Sequence, residues 1–226
     1  MLALRVDTAS VEDRVAGITA ASEALAQGKF IVLPTDTVYG IGCDPFQPGA
    51  VHGLLALKGR TRAMPPPVLV PDIESAAALV GVIPEAIMPM LERFWPGGVT
   101  VVVKASPDID WDLGDTGGTV ALRMPAHEVA LEILRATGPL AVSSANLTGE
   151  LPAMNADEAL AQFGENVAVY FDSGRVGQTY PEAPGNSGST IIDASARDSG
   201  GPYRVIRRGV VPLDSLRDVL EGEWAD

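Results

Sequence analysis

A short apolar run followed by two threonines is the first place in this chain where chemistry is expected. Residues 30–33 (FIVL) have the length and β-branched content of a buried strand, and Pro34 ends it because proline lacks a backbone donor. Thr35 and Thr37 then lie at the end of that strand, on either side of Asp36. Loops at strand ends of open α/β sheets are held by a rigid scaffold and exposed to solvent, so ligands usually bind there. The two hydroxyls are therefore candidate ligand contacts.

Three cations follow within five positions, Lys58, Arg60 and Arg62, in a chain with only 16 basic residues and 29 acidic ones. Ammonium and guanidinium groups bind phosphates and carboxylates through charge-assisted hydrogen bonds. A basic cluster in so acidic a protein predicts a site for a small anionic ligand. The same charges also suit the end of a helix, where they interact with the helix dipole and with solvent.

Further polar side chains fall at the ends of other predicted strands or just beyond them. They supply hydroxyls, an amide and two guanidiniums: Arg123, Ser144, Asn146, Ser189, Thr190 and Arg207. Together with the threonine pair and the three cations they describe a polar, cationic cavity with few carboxylates, which suits phosphate and carboxylate ligands. Each hydroxyl or amide pair also has a structural interpretation, as a turn, a helix cap or a strand edge.

Several other kinds of site are not supported by the sequence. It contains neither GxxxxGK[ST] nor GxGxxG, the phosphate-binding motifs of P-loop and Rossmann proteins, and no GxSxG of a serine hydrolase. His52 and His127 lie within or at the start of helical sequence and are interpreted as structural, and Cys43 is interpreted as a small buried residue. One cysteine and two histidines offer no zinc site, so no metal held by protein side chains is predicted.

Turn residues and hydrophobic periodicity divide the chain into helices and strands. Strands are predicted over residues 30–33, 68–70, 99–103, 119–124, 140–142, 167–171, 190–193 and 203–206. Helices are predicted from Ser10, as N-cap, to Gly28 and over residues 49–57, 73–80, 84–94 and 126–136. Because strand-helix units alternate with consecutive strands, we expect an α/β fold with a sheet of mixed direction.

The chain is interpreted as one domain over residues 1–226, with a core at about 10–210 and a C-terminal helix at 212–221. Its 46% hydrophobic content is enough to bury a full core without disulfides. The segment 172–188 is long, polar and rich in glycine and proline, which predicts a loop. Loops of this kind often act as lids over binding sites.

Charge and hydropathy restrict the compartment and the partners. The formal net charge of −13 argues against broad, nonspecific binding to nucleic acid, because that affinity comes mainly from neutralising phosphates with Lys and Arg. No run reaches the roughly 18 apolar residues of a membrane span, and the first residues lack a basic segment followed by a long apolar run. With a single cysteine besides, the sequence predicts a cytoplasmic protein without a membrane partner.

Six segments carry a resemblance to a known family. LPTDTVYGIGCDPF, KGR, VALRMP, SSANLTG, STIID and VIRRG occur in the same order as the characteristic segments of the YrdC/Sua5 family, the threonylcarbamoyl-AMP synthases. The resemblance extends over residues 28–209. Within it, KxR (Lys58 and Arg60) and SxN (Ser144 and Asn146) are specific as a pair, although either motif alone would mean little.

This resemblance implies a YrdC-like domain in which a twisted mixed sheet lines a large concave cavity. It implies an enzyme that forms threonylcarbamoyl-AMP and pyrophosphate from L-threonine, bicarbonate and ATP, with Mg²⁺ on the phosphates. The product serves N6-threonylcarbamoyladenosine (t6A) formation at position 37 of tRNAs, and a partner enzyme completes the transfer. A weak contact with tRNA or double-stranded RNA is a further expectation.

The matched motifs also imply roles for individual residues. Threonine or its carbamate is expected to contact Thr35, Thr37, Arg123 and Ser189. The nucleotide and its phosphates are expected to contact Lys58, Arg60, Arg62, Thr119, Ser144, Asn146 and Arg207. The KxR and SxN residues form the expected catalytic set. The reaction needs positioning and charge neutralisation more than a general base, which agrees with a site rich in cations and poor in histidine.

The chain departs from the family pattern in the loop before STIID. Gly188 stands where the family usually has proline, and the loop itself is longer. We expect this departure to affect the geometry of the lid more than the chemistry. The C-terminal domain of the longer Sua5 type is not expected, so the chain resembles the short bacterial form.

Three alternatives keep the same fold but change the function. The first is a YciO-type paralogue with weak or different activity, although the intact KxR and SxN motifs argue against it. The second is a noncatalytic module that holds structured RNA on the cavity face, which the acidic balance disfavours. The third is carbamoyl transfer, as in the YrdC-like domain of hydrogenase maturation factors, which work together with zinc-finger and acylphosphatase modules.

Overall fold

Within residues 3–180 and 187–225, which this computed structural model describes, eleven strands form one sheet and seven α-helices pack on it. The strands are β1 (Leu4–Asp7), β2 (Phe30–Leu33), β3 (Gly40–Cys43), β4 (Val68–Leu69), β5 (Val99–Lys104), β6 (Thr119–Arg123), β7 (Leu140–Ser144), β8 (Val167–Asp172), β9 (Thr190–Asp193), β10 (Tyr203–Arg207) and β11 (Trp224–Ala225). The helices are α1 (Val11–Ala26), α2 (Pro48–Leu57), α3 (Ile73–Val80), α4 (Met88–Phe94), α5 (Glu128–Thr137), α6 (Ala156–Phe163) and α7 (Leu213–Arg217).

The strands follow the order β1-β8-β2-β3-β7-β4-β6-β5-β9-β10-β11 across the sheet. The sheet contains both parallel pairs, such as β2 with β8 and β5 with β9, and antiparallel pairs, such as β3 with β7 and β5 with β6. This arrangement confirms the predicted α/β fold with a sheet of mixed direction.

Both faces of the sheet are buried, as β2 illustrates. Ile31 and Leu33 pack into a cluster with α1 and α5, whereas Val32 between them packs into a second cluster with α2 and α6. Alternate side chains of a strand point to opposite faces, so the two clusters lie on the two sides of the sheet. A strand buried on both faces reads as a continuous apolar run, which is why residues 30–33 were predictable from the sequence.

Polar residues at the ends of several strands lie together along one edge of the sheet, the edge formed by strand termini and not by an outermost strand. Antiparallel pairing places Gly40, at the start of β3, opposite Ser144, at the end of β7. Parallel pairing places Val99 beside Thr190, so β5 and β9 both begin at the edge where β6 and β10 end. Residues far apart in the sequence therefore meet at this edge.

Most predicted elements are present with ends shifted by one or two residues, but two helices differ. The C-terminal helix predicted over 212–221 ends at Arg217, because the chain turns back at Gly222 (φ 128°) to pair β11 with β10. In the predicted helix over 84–94, the α-helical part begins only at Met88, after a 3₁₀ turn. Proline fits an α-helix only in its first turn, and Pro89 occupies that position. The sequence analysis did not identify β1, β3, α6 or β11.

Candidate active site

A cavity of about 370 Å³ opens at this edge of the sheet. Its volume lies within the range of roughly 300–1,000 Å³ that small-molecule sites occupy. Leu69, Val142 and Ile191 line it with apolar side chains. The rest of the lining is mainly polar and includes the guanidinium groups of Arg60, Arg123 and Arg207.

Thr35 shapes the turn that follows β2. Its hydroxyl donates to the carbonyl oxygen of Val38 at 2.6 Å and accepts from the N–H groups of Thr37 and Val38 at 3.2 and 3.3 Å. The Thr37 hydroxyl lies 3.1 Å from it and accepts from Arg123 Nη1 at 3.0 Å. The one proton of Thr35 goes to the backbone and its two acceptor positions take backbone N–H groups, so the Thr35 hydroxyl holds the turn. Thr35 still lines the cavity, but its hydrogen bonds support the structural interpretation.

Arg123, at the end of β6, is buried and held at three N–H groups. Nε donates to the carbonyl oxygen of Gly97 at 2.9 Å, Nη1 to Thr37 Oγ1 at 3.0 Å and Nη2 to Asp36 Oδ1 at 2.7 Å. A guanidinium has five N–H donors, so two have no partner among the described residues and could serve a ligand in the cavity. The side chain is thus fixed in orientation before any ligand binds.

Asp36 is the carboxylate that neutralises Arg123. Its side chain is 0% exposed, and that of Arg123 is 8% exposed. Besides Arg123, the Asp36 carboxylate accepts from the N–H of Ala126 at 2.9 Å and from the hydroxyl of Tyr180 at 3.1 Å. A buried ion pair persists when further hydrogen bonds support both partners, and here Asp36 accepts three while Arg123 donates three.

Arg60 and Arg207 line the same cavity but differ from Arg123 in their charge balance. Arg60 donates to Ser143 Oγ at 2.8 Å, and Arg207 donates to the Ser189 carbonyl oxygen from Nε at 3.0 Å and from Nη2 at 2.8 Å. In the part of the chain that the structure describes, neither side chain has a carboxylate partner.

Burial lowers the pKa of both guanidiniums, and the charges of Arg123 and Arg60 lower the pKa of Arg207 further. Two positive charges without counter-charges thus lie near a third. An anion bound in the cavity would reduce the repulsion among these guanidiniums and offset the cost of burying them.

The hydroxyls at the start of β9 have different surroundings. Ser189 Oγ is buried, lies 2.7 Å from Thr100 Oγ1 and accepts from Arg207 Nη2 at 3.0 Å. Thr190 is structural, because its hydroxyl donates to the carbonyl oxygen of Val211 at 2.7 Å and accepts from the N–H of Gly209 at 3.1 Å. A Cβ on Gly209 would lie 2.3 Å from the Ser189 carbonyl carbon, so this close approach requires glycine.

Lys58 lies behind the SxN motif, outside the cavity lining. It is only 1% exposed, and its ammonium group donates to the carbonyl oxygens of Ser144 and Asn146. Nζ also lies 5.9 Å from the ring centroid of Phe163. Burial and the nearby charge of Arg60 lower the pKa of Lys58 to about 7. Lys58 is thus hydrogen-bonded to the backbone that carries Ser144 and Asn146, and its contact with a nucleotide remains a prediction.

Ser144 and Asn146 line the cavity and contact each other. Ser144 Oγ donates to Asn146 Oδ1 at 2.5 Å, and Asn146 Nδ2 donates to the carbonyl oxygens of Leu147 and Glu150 at 2.9 and 3.0 Å. This network fixes the side-chain amide of Asn146. The structure thus brings the KxR and SxN motifs together. Lys58 contacts the backbone of the SxN motif from outside the cavity, whereas Arg60 lines the cavity together with Ser144 and Asn146.

Besides Lys58, two other predicted nucleotide contacts lie outside the cavity lining. Arg62 is exposed and donates to both carboxylate oxygens of Asp112 at 2.7 and 2.8 Å. Thr119 begins β6, at the opposite end of the strand from Arg123, and its hydroxyl donates to the carbonyl oxygen of Thr116 at 2.7 Å. Contacts of Arg62 and Thr119 with a nucleotide remain predictions.

Among the residues that belong to the site or support it but were not assigned from the sequence are Asp36, Thr100, Ser143, Glu150 and Tyr180. Asp36 and Ser143 each adjoin a residue that was assigned, so their positions were a usable signal. Glu150 adds a carboxylate to a cavity that we expected to contain few. Thr100 and Tyr180 contribute only through contacts that the sequence does not reveal.

The first half of the predicted lid, residues 173–180, is tied to the rest of the protein. The Tyr39 hydroxyl accepts from the N–H of Ser173 at 2.9 Å and donates to the carbonyl oxygen of Gly174 at 2.8 Å. Residues 181–186 lie outside the described part of the chain, so the lid itself remains a prediction.

The histidines and the cysteine lie apart from this chemistry. His52 is on the surface beside Asp112, and burial lowers the pKa of His127, which precedes α5. Cys43 is buried as predicted, and burial raises its pKa to about 12. Among residues 3–180 and 187–225, no group of three or more His, Cys, Asp or Glu side chains could hold a metal ion. None of the helices described there combines the length and the apolar character needed to cross a membrane.

Comparisons with known proteins agree with this geometry. Residues 23–209 match the sequence profile of the Sua5/YciO/YrdC family, which is described as "Telomere recombination". A Mycobacterium tuberculosis protein with the provisional name threonylcarbamoyl-AMP synthase is 45% identical over 214 residues, which cover 95% of this chain and 94% of that protein. The threonylcarbamoyl-AMP synthase of Methylococcus capsulatus is 37% identical over 159 residues, which cover 70% of this chain and 84% of that protein.

A solved structure extends the similarity to three dimensions. The crystal structure of P. abyssi Sua5 complexed with L-threonine superposes with a TM-score of 0.84 at 28% identity. The match covers 100% of this chain and 63% of the Sua5 chain, so this chain spans less than two thirds of that relative's length. Because a single family profile matches most of its residues, the chain belongs to the Sua5/YciO/YrdC family.

Proposed function

We propose that this chain is a threonylcarbamoyl-AMP synthase, which makes L-threonylcarbamoyladenylate and pyrophosphate from L-threonine, bicarbonate and ATP. One observation carries the proposal: three guanidiniums line one cavity, and among the residues that the structure describes only Arg123 has a buried carboxylate partner. Arg60 and Arg207 are left to neutralise a ligand with several negative charges, as a triphosphate has. The names of the relatives and the threonine complex of P. abyssi Sua5 support the same substrates.

We assign the two substrates to adjoining parts of the cavity lining, since Ser189 and Arg207 are hydrogen-bonded to each other. The buried group of Arg123, Thr37 and Ser189 suits the amino acid, because a fixed guanidinium with free N–H groups binds a carboxylate in a defined orientation. Thr35 completes this part of the lining, which we call the amino-acid end, and its hydroxyl holds the turn there. The nucleotide and its phosphates would lie toward the remaining polar lining, formed by Arg60, Ser144, Asn146 and Arg207.

The chemistry follows from this placement. The amine of L-threonine takes up carbon dioxide, supplied by bicarbonate, and becomes a carbamate. A carbamate oxygen then attacks the α-phosphorus of ATP, and the bond to the bridging oxygen breaks so that pyrophosphate leaves with its electron pair. The guanidiniums of Arg60 and Arg207 stabilise the charge that shifts to the leaving group. Lys58 holds the backbone of the SxN motif in position for this step.

Mg²⁺ would be bound mainly by the phosphates. It is usually held by one or two carboxylates together with substrate phosphates, and Glu150 is a carboxylate in the described lining of the cavity. The residues therefore fit a magnesium ion that enters with the nucleotide, which would neutralise charge on the triphosphate.

The product would pass to a second enzyme that transfers the threonylcarbamoyl group to tRNA in the cytoplasm. The net charge of −13 disfavours this chain as the main tRNA-binding component. Weak contact with tRNA or double-stranded RNA and a single-domain organisation over residues 1–226 are further parts of the proposal.

Pyrophosphate release tests the proposed function. Release from ATP should require both L-threonine and bicarbonate, and should fall by more than about a hundredfold in Arg60→Met, in line with losing a preorganised charge contact. Arg204→Met, an exposed arginine on β10, serves as the matched control. ATP binding without threonine-dependent release would contradict the proposal and favour a YciO-type paralogue. Salt-sensitive RNA binding without turnover would contradict it in favour of an RNA-binding module.

A further inference from the structure

Tyr180 lies behind the amino-acid end of the cavity and is not among its lining residues. Its hydroxyl donates to Asp36 Oδ2 at 3.1 Å, and Asp36 Oδ1 accepts from Arg123 Nη2 at 2.7 Å. The side chain is accommodated by a glycine pair, since a Cβ on Gly98 would lie 3.0 Å from the Tyr180 hydroxyl oxygen and one on Gly97 3.5 Å from it. Tyr180 is therefore packed into a defined place next to the ion pair.

The hydroxyl of Tyr180 keeps its proton at neutral pH. Burial raises its pKa to about 12, with further increases from the charge of Asp36 and the hydrogen bond to it, and Arg123 and the Gly98 backbone act in the opposite direction. Tyr180 is consequently a donor to Asp36 under all physiological conditions.

Three donors bind the two oxygens of the Asp36 carboxylate. Oδ1 accepts from Arg123 and from the N–H of Ala126, whereas Oδ2 accepts from Tyr180. Without the tyrosine hydroxyl, Oδ2 would be a buried charged oxygen without a donor, which is costly enough to make the carboxylate rotate or draw in water. Either change would alter where the Arg123 guanidinium points.

We propose that Tyr180 is a positioning residue of the amino-acid site: through Asp36 it fixes the Arg123 guanidinium in the orientation that receives the carboxylate of L-threonine. This inference rests on the proposed function. It also gives the segment 173–180 a role, because this segment places Tyr180 next to Asp36, which is 144 residues earlier in the chain.

The test uses Tyr180→Phe, which keeps the ring over the glycines and removes only the hydroxyl. Tyr170→Phe is the matched control, because its hydroxyl donates to the carbonyl oxygen of Gly164 at 2.7 Å and neither residue lines the cavity. Calorimetry on the full chain measures the Kd of L-threonine, of L-threonine amide and of ATP, and the fitted stoichiometry gives the folded fraction of each variant.

We expect Tyr180→Phe to weaken L-threonine binding about tenfold, the size of one hydrogen bond to a charged group. Binding of L-threonine amide, which lacks the carboxylate, and of ATP should change less than about twofold, so the preference for the acid over the amide falls. In turnover, the KM for threonine should rise while kcat at saturating threonine stays within about threefold.

The outcomes separate this inference from the proposed function. If the original protein does not bind L-threonine, the proposed function fails. If it binds L-threonine and Tyr180→Phe binds it equally well, or loses affinity for ATP by the same factor, the positioning role is refuted. Because the Kd ratio is measured on folded molecules only, partial unfolding of the variant cannot produce the expected result.

Discussion

Replacing Asp36 by asparagine should destabilise the protein strongly, because it leaves Arg123 as a buried cation without a counter-charge. The two side chains are 0% and 8% exposed, so water screens their interaction little. Two unit charges about 4 Å apart at an effective dielectric constant of about 20 interact by roughly 4 kcal/mol. Breaking a buried ion pair by removing one partner costs about 3–5 kcal/mol in other proteins.

The expected loss for Asp36→Asn is about 3 kcal/mol, at the lower end of that range. Asparagine keeps one oxygen that can still accept from Arg123 or from the N–H of Ala126, which recovers part of the hydrogen bonding. A loss of this size is a large share of the roughly 5–15 kcal/mol that stabilises a typical domain. The variant should fold, but with a clearly lower urea midpoint.

Urea unfolding in a chloride buffer without phosphate measures this loss, since a bound anion would add stability by mass action. Asp115→Asn is the control, because Asp115 is 64% exposed and pairs with Arg62 at 3.2 Å. It should change the free energy of unfolding by less than about 0.5 kcal/mol.

A double-mutant cycle identifies the cause. Asp36→Asn combined with Arg123→Met should be less destabilised than the sum of the two single changes by about 2 kcal/mol or more, because the double variant no longer buries an unpaired charge. A loss below about 1 kcal/mol for Asp36→Asn, or an additive cycle, would refute the reasoning.

Three further predictions concern other parts of the site and core. Arg207→Met should raise the Kd of pyrophosphate by more than about tenfold in calorimetry, whereas Arg204→Met, exposed on the same strand, should change it less than about twofold; equal effects would contradict the assignment of Arg207. The pKa of Lys58 is about 7 in the folded protein and ordinarily 10.5, so between these values the unfolded chain binds more protons. Stability contributed by this group is therefore largest at high pH and is lost as the pH falls toward 7, and the stability of the original protein relative to Lys58→Met should rise between pH 7 and 10. A pH-independent difference in urea unfolding would contradict this. Cys43 should not react with iodoacetamide at pH 8 in the folded protein, because burial raises its pKa to about 12, but should react in urea; modification of the folded protein would show that the thiol is accessible.

The elements that could be predicted are those whose local sequence pattern agrees with their burial and end contacts in the fold. β2 and β9 have the predicted ends, and Ser10 caps α1 by accepting from the N–H of Asp13. For β3 the local sequence is misleading, because glycine is unfavourable in strands. A Cβ on Gly40 would lie 2.5 Å from Val142 Cγ1, so the glycine is needed for a close approach to β7 that only the fold reveals.

Two features that the sequence analysis missed could have been predicted from the residues. Asn155 caps α6 by accepting from the N–H of Glu158 at 2.8 Å, and this capping pattern is visible in the residues themselves. The two ends of β6 must lie about 13 Å apart at roughly 3.3 Å per residue, so strand geometry alone places Thr119 and Arg123 too far apart to be neighbours in one small cavity.

The charge balance of the site could not be predicted, because it depends on contacts over long separations. Asp36 and Arg123 are 87 residues apart, and Asp36 and Tyr180 are 144 apart. Which of three arginines has a carboxylate partner is decided by the order of strands in the sheet. The sequence therefore indicated an anion site but could not separate the paired guanidinium from the unpaired ones.

Transfer of carbon from labelled bicarbonate tests the central claim most directly. The protein is incubated with ATP, L-threonine, Mg²⁺ and ¹³C-bicarbonate, and the nucleotide products are identified by mass spectrometry. The account predicts an adenylate of threonine that carries one ¹³C in its carbamoyl carbon and disappears when threonine is omitted. A threonine adenylate without the label, or no nucleotide product from protein that binds both ATP and threonine, would contradict it.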